Sequence, residues 1–232
     1  MKNAIVTGAS RGIGENISNM LLSEGYIVYG IARDFSTCTI QHDAFRSVEA
    51  DLTDVGKLNT AVEYIKKETN SKLHLLVNNA GVGLFGAHEQ LETNALVNMI
   101  QLNLQVPLLL SNLFLTQLKH SQGYLVNISS VTAKKISTHG CAYAATKAGL
   151  THFGNSLFEE VRKTGVKVVT IHPDITSTPF YDDLHFEPYE SDETTLCASS
   201  ISETLRHILN QPEGTIVTEL SIRPQKNRIN KK

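Results

Sequence analysis

Charge of one sign is missing from this sequence. With 21 Lys and Arg against 23 Asp and Glu, its 232 residues carry a formal charge of −2 at pH 7. No overall positive field is available to collect phosphate backbones, which disfavours nucleic-acid binding. The basic end, residues 226–232, is the local exception and reads as a solvated tail in preference to a binding arm. Cysteine is scarce: Cys38, Cys141 and Cys197 are too widely spaced for a disulfide framework or a zinc site and read as reduced cytosolic thiols. The nine histidines, His139 and His172 among them, show no metal-ligand spacing, so no metal is expected. Long hydrophobic runs are also lacking. Ala4–Val6 breaks at once into Thr7, Gly8, Ala9 and Ser10, too short for a signal-peptide core. The run from Val106 to Leu115 is interrupted by Ser111 and Asn112 and falls short of a membrane span. A cytoplasmic protein with no membrane partner is the expectation.

What the chain does have is the composition of a globular domain, 41% hydrophobic and 19% charged. Its length suits a single core, here residues 1–225, with 226–232 as the tail. Short β-rich runs (4–6, 26–31, 73–77, 124–128, 166–171, 215–222 and, more weakly, 45–50) alternate with helical patterns at 12–23, 55–68, 89–118, 142–163 and 194–209. That alternation predicts an α/β fold, a doubly wound, mainly parallel sheet of about seven strands with helices on both faces. Leu75–Val77 and Val168–Val169 are apolar without interruption, as strands covered on both sides must be. Pro107 is expected to kink the third helix. Residues 174–192, with Pro179, Pro188 and many acids, read as a long functional loop.

Directly after the first strand comes Thr7-Gly8-Ala9-Ser10-Arg11-Gly12-Ile13-Gly14. Glycine at a strand-to-helix turn lets a pyrophosphate approach backbone N–H groups at the positive end of a helix. The spacing is TGxxxGxG and not the GxGxxG of other dinucleotide-binding enzymes. It resembles the short-chain dehydrogenase/reductase family. Asn78-Asn79-Ala80-Gly81, Asn103, Ser129-Ser130 and Tyr143-Ala144-Ala145-Thr146-Lys147 stand in the family's order and spacing, so the resemblance covers nearly the whole chain.

Tyr143 and Lys147 lie four positions apart, on one face of a helix. Reducing a carbonyl needs a proton on oxygen as well as a hydride on carbon, and a phenol of pKa about 10 is mismatched to neutral pH. Lys147 is placed to favour phenolate. The resemblance implies Tyr143 as general acid and base, Ser130 as the hydroxyl that holds the substrate oxygen, and Asn103 as support for a proton relay through Lys147. It implies a nucleotide held by Gly8, Ser10, Arg11, Gly12, Ile13, Gly14, Asp51, Leu52, Asn79, Ala80, Gly81, Pro173, Thr176 and Thr178, with Tyr143 and Lys147 at the reactive end. Asn79 would also tie strands together. Arg33 ends the second strand, where NAD-dependent relatives place a carboxylate, and a guanidinium suits a 2′-phosphate. NADP(H) is the expected cofactor, with NAD the alternative if Asp34 binds the ribose. Asp174 replaces a family glycine, which puts the local backbone path in question.

The resemblance implies a carbonyl or alcohol small-molecule substrate and a homodimer or homotetramer. Residues 219–224 resemble relatives that oxidise small 3-hydroxy acids or serine. Lys134 and Lys135 allow a 3-oxoacyl carrier-protein reductase instead, against which the acids of the loop (Asp182, Asp183, Glu187, Glu190, Asp192, Glu193) argue mildly. A redox sensor that binds NADPH without chemistry is the non-enzymatic alternative; such proteins commonly lose the Tyr or Lys that this chain keeps.

Overall fold

A computed structural model describes residues 1–189, 191–226 and 228–232. The strands in chain order are Lys2–Thr7 (β1), Tyr26–Ala32 (β2), Phe45–Glu49 (β3), Leu75–Asn78 (β4), Tyr124–Ile128 (β5), Lys167–Pro173 (β6), Thr176–Ser177 (β7), Phe186–Pro188 (β8), Leu196–Cys197 (β9), Glu219–Ile222 (β10) and Ile229–Lys231 (β11). The α-helices are Gly12–Ser23 (α1), Val55–Glu68 (α2), Thr93–Ile100 (α3), Val106–Ser121 (α4), Cys141–Val161 (α5) and Ala198–Leu209 (α6).

Seven strands form one sheet in the order β10-β6-β5-β4-β1-β2-β3, and every neighbouring pair is parallel. Alternation along each strand divides the core in two. Ala4, Val6, Leu75, Val77, Val126, Ile128, Val169 and Ile171 meet Ile17 and Leu21 of α1 and Ile201, Leu205 and Ile208 of α6. Ile5, Leu76, Leu125 and Val168 turn the other way, onto Leu58 and Ile65 of α2, Leu110 and Phe114 of α4 and Leu157 of α5. Parallel strands sandwiched this way must be apolar on both faces, hence their unbroken Leu and Val runs. Each such side chain contributes roughly 1.5–3 kcal/mol on full burial. The strand order reverses between β1 and β4, and the crevice outside their carboxyl ends is where an open parallel sheet holds a ligand.

Three local features differ from the sequence expectations. The third helix is not one kinked rod: a π turn at Gln101–Gln105 separates α3 from α4. Pro107 has no N–H to offer the carbonyl of Asn103 four residues earlier, and the ladder widens there. The last helix starts at Ala198 and not Thr194, because β9 pairs with β7 and the Thr194 and Thr195 hydroxyls donate to the carbonyl of Tyr189. The basic tail stays mostly exposed but is ordered against the loop. β11 pairs antiparallel with β8, Lys226 Nζ lies 2.5 Å from Glu193 Oε2, Arg228 sits 4.0 Å over the Tyr189 ring, and Lys232 Nζ donates to the carbonyls of Tyr181 and Asp182. Lys226 is thus paired with an acid of the loop, while Lys231 stays exposed.

Within that loop Asp182, Asp183, Glu187, Asp192 and Glu193 are exposed, while Glu190 lies outside the described residues. The helical stretch Thr93–Ser121 is, among the described residues, the one segment long and apolar enough to cross a membrane; here Met99, Val106, Leu110, Phe114 and Leu118 are buried in the fold.

Candidate active site

A cleft of about 930 Å³ opens at the carboxyl ends of β1, β2, β4, β5 and β6. At one end the chain leaves β1 through Gly8 and Gly12, whose φ angles of 66° and 61° suit glycine. Gly14 is held by close approach: a Cβ there would lie 2.1 Å from the Gly8 carbonyl oxygen. α1 therefore begins hard against the turn, and no side chain caps its first N–H groups. An uncapped helix N-terminus above a cradle that a Cβ would fill fits a pyrophosphate. Ser10, Arg11 and Ile13 line the cleft beside it. Asn79 Nδ2 donates to the Thr7 carbonyl oxygen at 2.8 Å, tying β4 to β1, and Ala80 and Gly81 continue the wall. From the opposite wall Thr178 comes within contact distance of Gly12.

Arg33 is exposed at the end of β2 and lines the cleft; among the described residues it has no ion-pair partner. Asp34 is already engaged, accepting from the Ser36 backbone N–H at 2.8 Å and hydroxyl at 2.6 Å, and those bonds hold its carboxyl below the usual range. Asp51 likewise accepts from the Thr53 N–H and hydroxyl, with Leu52 buried beside it. Asp174 does not adopt positive φ. Its carboxylate accepts from Arg223 Nε at 2.9 Å and lies 3.7 Å from Lys135, so the missing glycine is replaced by an ion pair at the cleft edge. Pro173 and Thr176 flank it, the Thr176 hydroxyl donating to the Asp174 carbonyl.

Ser130, Tyr143 and Lys147 converge at the other end, all buried. Thr132 donates to Ser130 Oγ through its N–H at 3.2 Å and its hydroxyl at 2.9 Å. Ser129 turns away, onto the Lys147 carbonyl and Thr151. Lys147 Nζ donates to the Ile128 carbonyl at 2.9 Å and lies 5.9 Å from the centre of the Tyr143 ring. Asn103 spends its side chain on a clamp: Oδ1 accepts from Val82 N–H and Nδ2 donates to Val82 O, both at 2.9 Å, with Thr146 at 3.2 Å.

Burial pushes the Tyr143 pKa up, with the nearby Tyr181 adding to it and a Ser130 hydrogen bond opposing it; the expected acidifying pair is the Lys147 ammonium together with the positive ring of the oxidised cofactor. Burial also lowers Lys147 to about 8. Desolvation disfavours both charged forms.

Several participants carry no sequence signal of their own. His172 is fully buried, its Nδ1 3.0 Å from the Ser130 carbonyl and its Nε2 3.0 Å from Glu219. Burial lowers the His172 pKa, opposed by those two neighbours. Phe85 and Phe180 pack against Tyr143, and Tyr181, Phe186 and, from the tail, Ile229 and Lys231 line the same cleft. The clustering of Phe180, Tyr181 and Phe186 in the loop was the available hint. Among the described residues no group of three or more His, Cys, Asp and Glu could hold a metal ion.

The sequence and the fold both have counterparts among known proteins. The chain is similar to an uncharacterized oxidoreductase of Staphylococcus saprophyticus, 31% identical over 231 residues and covering 96% of this chain and 97% of the relative. A second, from Staphylococcus aureus, is 32% identical over 228 residues with the same coverage. The fold superposes on an alcohol dehydrogenase of the archaeon Thermococcus sibiricus complexed with 5-hydroxy-NADP, with TM-score 0.89, 25% identity and coverage of 98% and 99%. A metagenomic short-chain oxidoreductase in complex with NADP gives TM-score 0.80 at 27% identity, covering 96% and 97%. The short chain dehydrogenase family model matches residues 2–187, and with that match the chain belongs to the short-chain dehydrogenase family of oxidoreductases.

Proposed function

We propose that this protein is an NADP(H)-dependent oxidoreductase that interconverts a carbonyl and a secondary alcohol on a small molecule, with Tyr143 handling the proton. The carrying observation is that one cleft runs from the glycine turn and Arg33 to Ser130, Tyr143 and Lys147. The Gly8–Gly14 turn would hold the pyrophosphate, Asp51 and Leu52 the adenine end, and Arg11 and Arg33 a 2′-phosphate. Bound NADPH supplies the hydride.

The chain's own residues handle the oxygen. Thr132 occupies both acceptor positions of Ser130, so this hydroxyl acts as a donor, and the one proton it now shares with the Tyr143 oxygen is what it can turn toward the substrate oxygen. Burial keeps Tyr143 protonated, which suits it to enter as an acid and donate to that oxygen. Lys147, at about 8, is mostly an ammonium at neutral pH and stabilises the phenolate left behind. General acid catalysis of this kind contributes about 10²–10⁴-fold. Asn103, clamped to Val82, keeps the floor of the cleft in register with Lys147.

Preference for NADP over NAD rests on exposed Arg33 and on Asp34 being engaged by Ser36, and the NADP complexes of the two similar structures support it. A carrier-protein substrate is less well supported, because Lys134 is paired with Glu219 and Lys135 faces Asp174. Val97, Ile100 and Leu108 are exposed apolar side chains on the α3–α4 stretch, which supports self-association as a dimer or tetramer, and the three unpaired cysteines suit the cytoplasm. The test is to follow NADPH absorbance with a panel of small ketones and aldehydes. Oxidation of NADPH, faster than that of NADH, is expected; unchanged absorbance despite tight NADPH binding would refute the enzymatic reading.

A further inference from the structure

The chain holds eight Phe and seven Tyr, and five of them meet in one closed circuit. Phe85 and Tyr143 have ring centres 5.2 Å apart, Tyr143 and Phe180 6.0 Å, Phe180 and Tyr181 5.2 Å, Tyr181 and Phe186 5.7 Å, and Phe186 and Phe85 5.1 Å. All five rings line the cleft, and among the described residues no aromatic contact joins non-adjacent members of the circuit.

The circuit is built with some care for room. A Cβ on Gly83 would meet Phe180 at 2.6 Å and Phe85 at 2.7 Å, and one on Gly140 would meet Phe85 at 2.9 Å. Phe186 is carried in by β8, whose position is fixed by the C-terminal strand: Lys231 stands opposite Phe186 in that pairing.

We propose that this aromatic box is the substrate subsite, and that it takes a neutral carbonyl compound with an aromatic ring on the reacting carbon. The inference rests on the reductase reading above. The box contains the proton-donating ring itself, so a substituent held there lies beside the phenol. A cationic ligand, which aromatic cages otherwise favour, is opposed by the buried Lys147 ammonium beside the Tyr143 ring. A small hydroxy acid would need a cation against its carboxylate. Lys135 faces Asp174 instead, Lys147 is bonded to Ile128, and Lys231 is exposed at the rim.

The test compares acetophenone with cyclohexyl methyl ketone, which has the same skeleton but a saturated ring, and with acetoacetate. Wild type, Phe180→Leu, Phe186→Leu and a chain ending at Gln225 are assayed for NADPH oxidation, with saturation-transfer NMR of acetophenone on NADP⁺-loaded protein as a readout independent of turnover. Intrinsic ketone reactivity cancels when the acetophenone-to-cyclohexyl ratio of kcat/KM is compared between variants. The expectation is a ratio about tenfold lower in each leucine variant and in the truncated chain, a weakened NMR signal, and an unchanged KM for NADPH. A ratio and signal that do not move in either leucine variant, or acetoacetate as the best substrate, would overturn the aryl subsite while leaving the reductase reading intact. No NADPH consumption with any ketone, in protein that binds NADPH, would overturn both.

Discussion

Replacing Lys147 with methionine should make the protein more stable while destroying its activity. The ammonium is 4% exposed, and burial lowers its pKa from 10.5 to about 8. A depressed lysine pKa means that the charged form is disfavoured in the folded state, so the penalty is present in full below about pH 8 and is relieved as pH rises from there toward 10.5. At about 1.4 kcal/mol per pKa unit, the penalty at pH 7 is about 3 kcal/mol. Methionine removes it but strands the Ile128 carbonyl, which accepts from Nζ at 2.9 Å, at a cost of about 1 kcal/mol. The net gain of about 2 kcal/mol corresponds to a rise in Tm of roughly 4–8 °C for a chain this long. Thermal unfolding of both proteins from pH 7 to 10 measures it: the wild type should approach the variant as pH rises. Tyr143 does not obscure this window. Its pKa is raised above 10, so its contribution is complete below pH 10 and is lost only above that. A lower Tm for Lys147→Met at pH 7, or a gap that does not narrow with pH, would refute the reasoning.

Arg33→Asp should lower the NADP-to-NAD ratio of kcat/KM by at least about tenfold, since charge-assisted hydrogen bonds contribute roughly 1.5–3 kcal/mol; steady-state kinetics with both nucleotides checks it. Gly14→Ala forces a Cβ to 2.1 Å from the Gly8 oxygen, and calorimetry should find nucleotide binding lost and stability reduced by about 1–3 kcal/mol. Pro107→Ala returns an N–H to the Asn103 carbonyl and favours a regular helix over the π turn; faster hydrogen exchange at the Val82 amide and a kcat about tenfold lower are expected.

The sheet was legible because parallel strands covered on both faces must be apolar throughout, so Leu75–Val77 and Val168–Val169 could be read without knowing their partners. The glycine turn was legible because its backbone demands are local. What escaped reading depends on residues far apart in sequence. Nothing near Lys226 announces that its partner is Glu193, so the docking of the exposed basic end against the acidic loop could not be read from the sequence. Pro107 announced a disturbance, but whether as a kink or a π turn depends on how α3 and α4 pack. The rise in the Tyr143 pKa follows from burial that chain-distant elements impose, and a helix motif seen alone suggests only the neighbouring ammonium. His172 carries no motif; β10 gives it a carboxylate neighbour and the Ser130 turn a carbonyl one.

The central claim, that the Tyr143 phenol gives the proton to the substrate oxygen, is tested most directly by Tyr143→Phe, with NADPH affinity measured by calorimetry beside single-turnover reduction of a reactive ketone. The account predicts NADPH binding within about twofold of wild type and a reduction rate lower by at least about 10². A phenylalanine variant that reduces the ketone at the wild-type rate would contradict it.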